Sequence, residues 1–279
     1  MYTTIRAAAV NFKPRPWGKD ENADRLETLF AQAVETGAEL VVGPEAILDG
    51  YVAMQALTHH EKRAAMLEVA EPIDGPFVTR FRELAAKWHV CLAFGITARI
   101  GKRDLYNLGV FIDQDGNIRG THAKAQFAEG YLPNWYFNRI GNTLRAFDTP
   151  LGRCGILICN ERWNPLTARA LCLDGARFLC ILTYGEKTRR QDNSVLARAR
   201  ENGVPIVQSN VGCNLLISKG EIVARQSGQD IVTVGEIDIP APPNTRNARA
   251  VEREFLAARN ANLAEARDYL RNRYEVKKK

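Results

Sequence analysis

CGILICNERWNP, from Cys154 to Pro165, decides the fold class. Its first half, Cys154-Gly155-Ile156-Leu157-Ile158-Cys159, is uniformly apolar instead of alternating, which is how a strand buried on both faces reads. The polar Asn160, Glu161 and Arg162 interrupt it, and Pro165, suited to the first turn of a helix, opens a helix over Leu166 to Gly175. A doubly covered strand running into a helix points to an α/β architecture.

The same alternation extends outward in both directions. Upstream lie a strand at Ile5 to Phe12, a helix at Asn22 to Thr36 with Leu26, Leu29, Phe30 and Ala33 on one face, a strand at Leu40 to Val42, a helix at Pro76 to His89 and a strand at Val90 to Ile100. Downstream, Phe178 to Leu182 reads as a strand, Asp192 to Asn202 as a helix and Ile206 to Asn210 as a strand. Two hairpins depart from the pattern. One spans Leu108 to Ala123 through the turn Asp113-Gln114-Asp115-Gly116, and the other spans Asn214 to Arg225 through Lys219-Gly220. Val232 to Ile239 closes the strands. Pro240, Pro242 and Pro243 then break the pattern, so the expected division is a domain at 1–240 and a linker with a terminal helix, appended rather than core, at 241–279.

Composition narrows the function classes. The chain has 279 residues, 46% of them hydrophobic and 25% charged, as in an ordinary globular enzyme. No apolar stretch approaches the roughly 20 residues that cross a bilayer, and Met1 to Ile5 lacks a signal-peptide pattern, so a cytoplasmic, membrane-free protein is expected. Six cysteines without paired CxxC spacing read as reduced thiols, and the four histidines show no ligand spacing and read as surface residues. Neither a metal nor a cofactor is expected. Residues 246–279 hold ten Lys or Arg against five Asp or Glu, which carries five of the six net positive charges. A basic tail with no accompanying motif is a solvated end, and nucleic acid is not an expected partner.

Cys159 stands where a strand gives way to a helix, the address of a reactive thiol, whereas Cys91, Cys154, Cys172 and Cys180 lie within apolar runs and read as core. Glu45 has a similar address at the end of the strand in Glu39-Leu40-Val41-Val42-Gly43-Pro44, since open α/β sheets place ligands at the carboxyl ends of strands. Taken alone, Glu45 reads first as a solvated surface residue, and so does Lys124 in His122-Ala123-Lys124.

Together the three resemble the nitrilase superfamily. PEAILDGY at Pro44 to Tyr51 resembles that family's first motif, HAK at His122 to Lys124 its lysine motif and CNERWNP at Cys159 to Pro165 its cysteine motif, in matching order from Ile5 to about Ile239. The resemblance implies a four-layer αββα sandwich of two mixed β-sheets with outer helices. It also implies Cys159 as nucleophile, Glu45 as general base and Lys124 as the cation at the oxyanion. Glu129 is the nearest candidate for the family's second glutamate, and the backbone N–H of Asn160 is a candidate second oxyanion donor. The expected substrate is a small amide or N-carbamoyl compound.

Two departures bear on the substrate. Ala123 stands where many members have Arg before the lysine, and Trp163 where they have Arg four residues past the cysteine. Arg162 could meet a substrate carboxylate, as in enzymes acting on N-carbamoyl amino acids, or could pair with a neighbouring acid. Glu161 reads as orienting the turn. Tyr184-Gly185-Glu186 and the aromatic run Trp135, Tyr136 and Phe137 are candidate pocket walls, the latter reading first as simple packing. Leu256, Leu263 and Leu270 recur every seven residues, suiting a helix at a homodimer interface or one packed on its own domain. The rival readings are an isochorismatase-like cysteine hydrolase, which the hairpins disfavour, and a non-catalytic binding subunit. Nitrile hydrolysis and acyl transfer are variants of the same chemistry.

Overall fold

The structure is a computed structural model and describes residues 2–53, 63–127, 137, 139–185, 188–242 and 248–276. Strands β1 (Tyr2–Asn11), β2 (Leu40–Val42), β3 (Cys91–Ile100), β4 (Asp104–Ile112) and β5 (Ile118–Ala123) form one six-stranded sheet with β12 (Ile231–Pro240), in the order β12-β1-β2-β3-β4-β5. The second sheet runs β11-β10-β9-β8-β7-β6 and comprises β6 (Phe147–Thr149), β7 (Gly152–Ile158), β8 (Phe178–Thr183), β9 (Ile206–Asn210), β10 (Cys213–Ser218) and β11 (Glu221–Ser227). Each sheet has a parallel centre, β1-β2-β3 or β7-β8-β9, flanked by antiparallel strands.

Helices α1 (Lys19–Glu35) and α3 (Pro76–Trp88) cover the outer face of the first sheet, with Leu26, Phe30, Val78 and Phe81 packed on Phe94 and Ile96. Helices α4 (Pro165–Leu173), α5 (Arg189–Asn202) and α6 (Ala248–Val276) cover the second. The expected four-layer αββα sandwich is therefore present. In β7, Ile156 and Ile158 enter the core between the sheets while Leu157 packs beneath the helices, which is why the run is apolar at every position.

Some elements differ from the sequence reading. The short helix α2 (Arg63–Val69) buries Met66 against Val52, Phe127 and Phe137, and its seven residues give too few turns for a periodic pattern. At the Asp113 hairpin only Gly116 takes a positive φ, and the Asp113 carboxylate accepts the N–H groups of Asp115 and Asn117. The terminal helix is not simply appended. Phe255 is fully buried with Leu171 and Val195, Glu252 accepts the Leu144 N–H at 2.8 Å, and Arg259 donates to the carbonyls of Ala125 and Gly141. Leu256 packs against this core, while the side chain of Leu270 lies outside the described residues. Among the described residues no helix is long and apolar enough to cross a membrane.

Candidate active site

Because the central strands of each sheet are parallel, the residues that follow β2, β7 and β8 meet at one edge of the sandwich. Glu45 reaches that edge on a turn stitched to β3: Gly43 N–H donates to Ala93 O, Gly95 N–H to Pro44 O and Ile47 N–H to Gly95 O. A Cβ on Gly95 would lie 2.7 Å from both Glu45 Cα and Ala46 N, so only glycine permits this approach. Ala46 and Tyr51 take φ of 44° and 55°, left-handed conformations of the kind held at functional loops by their surroundings.

The Glu45 carboxylate is fully buried and held by four donors. Oε1 accepts Lys124 Nζ at 2.7 Å, Asn107 Nδ2 at 2.7 Å and the Tyr51 hydroxyl at 3.3 Å, while Oε2 accepts the Tyr184 N–H at 3.0 Å. Tyr184 is thus tied to the carboxylate by its backbone, and its ring stacks on Tyr51 at 5.0 Å. Burial pushes the Tyr184 phenol up.

Lys124 is only 2% exposed, so the surface reading of it and of Glu45 is corrected. Its backbone is fixed on both sides: Lys124 N–H donates to Asn107 O and Gly141 N–H to Lys124 O, each at 2.9 Å. At Gly141 a Cβ would fall 1.9 Å from Ala123 O. Arg259 of α6 bonds the neighbouring carbonyls of Ala125 and Gly141, so the terminal helix braces the lysine segment.

Cys159 follows β7 directly, with φ of 49°, and begins a tight 3-10 turn, Cys159–Trp163. Glu161 ties this turn to the lysine segment. One of its oxygens accepts the Ala125 N–H at 2.6 Å, the other accepts the Ile158 N–H at 2.6 Å, and His122 Nε2 faces both, at 3.0 and 2.9 Å. Glu161 therefore orients the turn. His122 is buried in this contact, against the surface reading, whereas His89 is exposed and His59 and His60 lie outside the described residues.

Burial pushes the Cys159 thiol up, and the Glu45 carboxylate adds to that; the charges of Lys124 and Arg162 and a hydrogen bond from Arg162 oppose them. A thiol raised in this way needs a base to become a nucleophile. Burial is the largest influence on two other thiols as well and raises Cys91 and Cys172 to about 12.

The remaining sequence candidates are distributed as follows. Arg162 is 1% exposed and among the described residues forms no ion pair with an acid; it donates to Cys159 Sγ at 3.5 Å and to Gln191 Oε1 at 3.4 Å. The guanidinium groups of Arg162 and Arg190 stand 5.1 and 5.2 Å from the Trp163 ring, so Trp163 serves as a stacking surface for both. Asn160 Nδ2 donates to Phe127 O at 3.2 Å. Phe137 is buried and stacked on Phe127, which is packing, while Glu129, Trp135, Tyr136 and Glu186 lie outside the described residues. Sequence reasoning did not single out Asn107, Gln191 and Asn210. Among the described residues no group of three or more His, Cys, Asp or Glu side chains could hold a metal ion.

Asp49, at the end of the Glu45 loop, supplies a pH test. Burial pushes its carboxyl from 3.8 up to about 6, against the opposing influence of the Thr97 side chain and of the Val52 N–H, which donates to Oδ2 at 3.1 Å. Between those values the folded chain holds a proton that the unfolded chain has lost, so this group's contribution to stability falls as pH rises from about 4 to 6. The difference amounts to at most about 3 kcal/mol. Asp49→Asn should remove that slope and gain on the wild type above pH 6, as read by urea midpoints from pH 4 to 8. Parallel curves for the two proteins would refute the assignment.

The fold and the site define a class, and comparison with known proteins agrees with it. The carbon-nitrogen hydrolase family profile matches residues 6–240, and the chain belongs to that family. A bifunctional nitrilase/nitrile hydratase of Nicotiana tabacum is 32% identical over 75% of this chain, a match spanning 62% of that protein's length. An N-carbamoylputrescine amidase of Oryza sativa subsp. japonica is 30% identical over 77% of this chain and 71% of its own. An amidase from Nesterenkonia sp. superposes with a TM-score of 0.68 at 21% identity, covering 85% of this chain and 90% of that one, which shows the shared fold.

Proposed function

We propose that this protein hydrolyses a non-peptide carbon–nitrogen bond in a small amide or N-carbamoyl compound, with Cys159 as nucleophile, Glu45 as general base and Lys124 as the oxyanion cation. The observation that carries this reading is the buried Lys124–Glu45 pair, 2.7 Å apart, placed where both charges act on the Cys159 sulfur.

In the first half-reaction Glu45 takes the thiol proton and Sγ attacks the carbonyl carbon. The negative charge that develops on the carbonyl oxygen is met by the Lys124 ammonium and by the N–H of Asn160, and a fixed donor of this kind contributes about 3 kcal/mol. The protonated Glu45 then gives its proton to the leaving nitrogen as the carbon–nitrogen bond breaks. The thioester left behind is cleaved by a water from which Glu45 takes a proton, and the thiol is restored.

The four donors that hold Glu45 favour one orientation for both proton transfers. Tyr51 and Tyr184, which touch that carboxylate, form the wall against which the substrate lies, and Glu129 is the expected second glutamate. We place the protein in the cytoplasm, where its six free cysteines stay reduced, and assign it a homodimer with α6 at or near the interface.

The test is intact-protein mass spectrometry of quenched turnover mixtures with a panel of amides, N-carbamoyl amino acids and nitriles, alongside ammonia release. An acyl adduct mapped to Cys159 that appears and decays with release is expected for amides or N-carbamoyl compounds. Release without any adduct on Cys159, or neither signal across the panel, would overturn the reading, and the second outcome would favour a binding subunit.

A further inference from the structure

We infer that Arg162 is the donor that holds the anionic sulfur of Cys159, and that Gln191 is the residue that positions it; this rests on Cys159 being the nucleophile.

Arg162 follows Cys159 by three residues on the 3-10 turn, which carries its guanidinium back over the sulfur, with Nη1 at 3.5 Å from Sγ. At 1% exposure it is a buried charge that water does not reach. Among the described residues its other contacts are neutral: Nη2 donates to Gln191 Oε1, the Trp163 ring lies alongside, and Nε has no partner. Among the described residues none of the ion pairs supplies it with a carboxylate. A buried guanidinium without a counter-charge is costly, and among the described residues the group in contact with it that can become negative is the Cys159 sulfur.

Gln191 sits at the centre of the support. Its Oε1 also accepts Asn210 Nδ2 at 3.0 Å, and Asn210 Oδ1 in turn accepts the Gly185 N–H at 3.0 Å. A Cβ on Gly185 would lie 3.5 Å from Sγ, so one amide chain fixes both the cation and the backbone that flank the sulfur.

The electron balance is simple. When Glu45 takes the thiol proton, the bonding pair stays on sulfur and accepts the Arg162 N–H. That hydrogen bond is released as the carbon–sulfur bond forms and returns when water cleaves the thioester. A charge-assisted bond at the anionic stage favours the form that attacks.

The test is the pH dependence of iodoacetamide alkylation at Cys159, followed by peptide mapping, in the full-length wild type, Arg162→Gln, Arg162→Lys and Gln191→Leu. Arg162→Gln should move the midpoint up by at least about one pH unit, a roughly tenfold slower reaction at pH 7, with Arg162→Lys intermediate. Gln191→Leu should move it in the same direction by less, and it decides the matter if Arg162→Gln does not fold. An unchanged midpoint in the folded variants, with only KM for carboxylate-bearing substrates raised, would overturn the inference and make Arg162 a substrate-binding residue. A wild-type Cys159 that resists alkylation while the protein turns over would overturn the nucleophile assignment itself.

Discussion

Glu45→Gln is expected to lower turnover by about 10²- to 10⁴-fold while making Cys159 easier to alkylate at a given pH. The two effects have opposite signs because the carboxylate plays two parts. As a base it accepts the thiol proton, which glutamine cannot do. As a charge it raises the Cys159 thiol, and its removal leaves Lys124 and Arg162 to lower it. A merely structural glutamate would not produce that combination. The same substitution takes from the Lys124 ammonium, 2% exposed, the Glu45 carboxylate that stands 2.7 Å from it, and breaking a buried pair from one side costs about 3 to 5 kcal/mol. Glu45→Gln combined with Lys124→Met removes both charges and should be more stable than Glu45→Gln alone, although inactive. Single-turnover rates, alkylation rates and urea midpoints check the three statements. Turnover within tenfold of the wild type would remove Glu45 from the mechanism.

The strands were legible because burial on both faces leaves an uninterrupted apolar run, as in β7, and the covering helices because one face of each repeats at helical spacing. Cys159 and Glu45 were legible as the first polar or reactive residues beyond such strands. Lys124 was not, because β5 is only partly buried and its sequence does not distinguish a lysine turned inward from one in solvent. Recognising it depended on the motif. The supporting groups were hidden for a different reason. Asn107 meets Glu45 across 62 residues and His122 meets Glu161 across 39, and neither partner carries a local pattern that announces the other. Gln191 lies one residue before the segment read as a helix and Asn210 at the end of one read as a strand, where an amide looks like any exposed polar residue. The terminal helix misled because the prolines before it and its basic residues resemble a tail, while the residues that dock it, among them Glu252, Phe255 and Arg259, are single side chains without a local apolar pattern.

Glu161→Gln should destabilise the protein by about 3 kcal/mol, even though the replacement has nearly the same shape, and should lower kcat more than it changes KM. Each oxygen of the Glu161 carboxylate accepts a backbone N–H at 2.6 Å, from Ala125 on one side and Ile158 on the other. His122 Nε2 faces both oxygens, so it too must donate. A carboxylate offers acceptors in both directions, but an amide has to turn its NH2 toward one of these N–H groups. One donor then meets another donor in a fully buried place, and the unsatisfied group bears the full loss of its hydration. If the amide points its NH2 at Ile158, the link released is the one next to Cys159, whose φ of 49° is held by its surroundings and not by its own preference. If it points at Ala125, the link released is the one beside Lys124. Either choice loosens one side of the pair that must meet across the substrate, so the chemical step suffers before binding does. Urea midpoints and kcat measured together provide the check. A variant with wild-type stability would mean that Glu161 does not hold the two segments together, and a destabilised variant with wild-type kcat would mean that the turn keeps its shape without it.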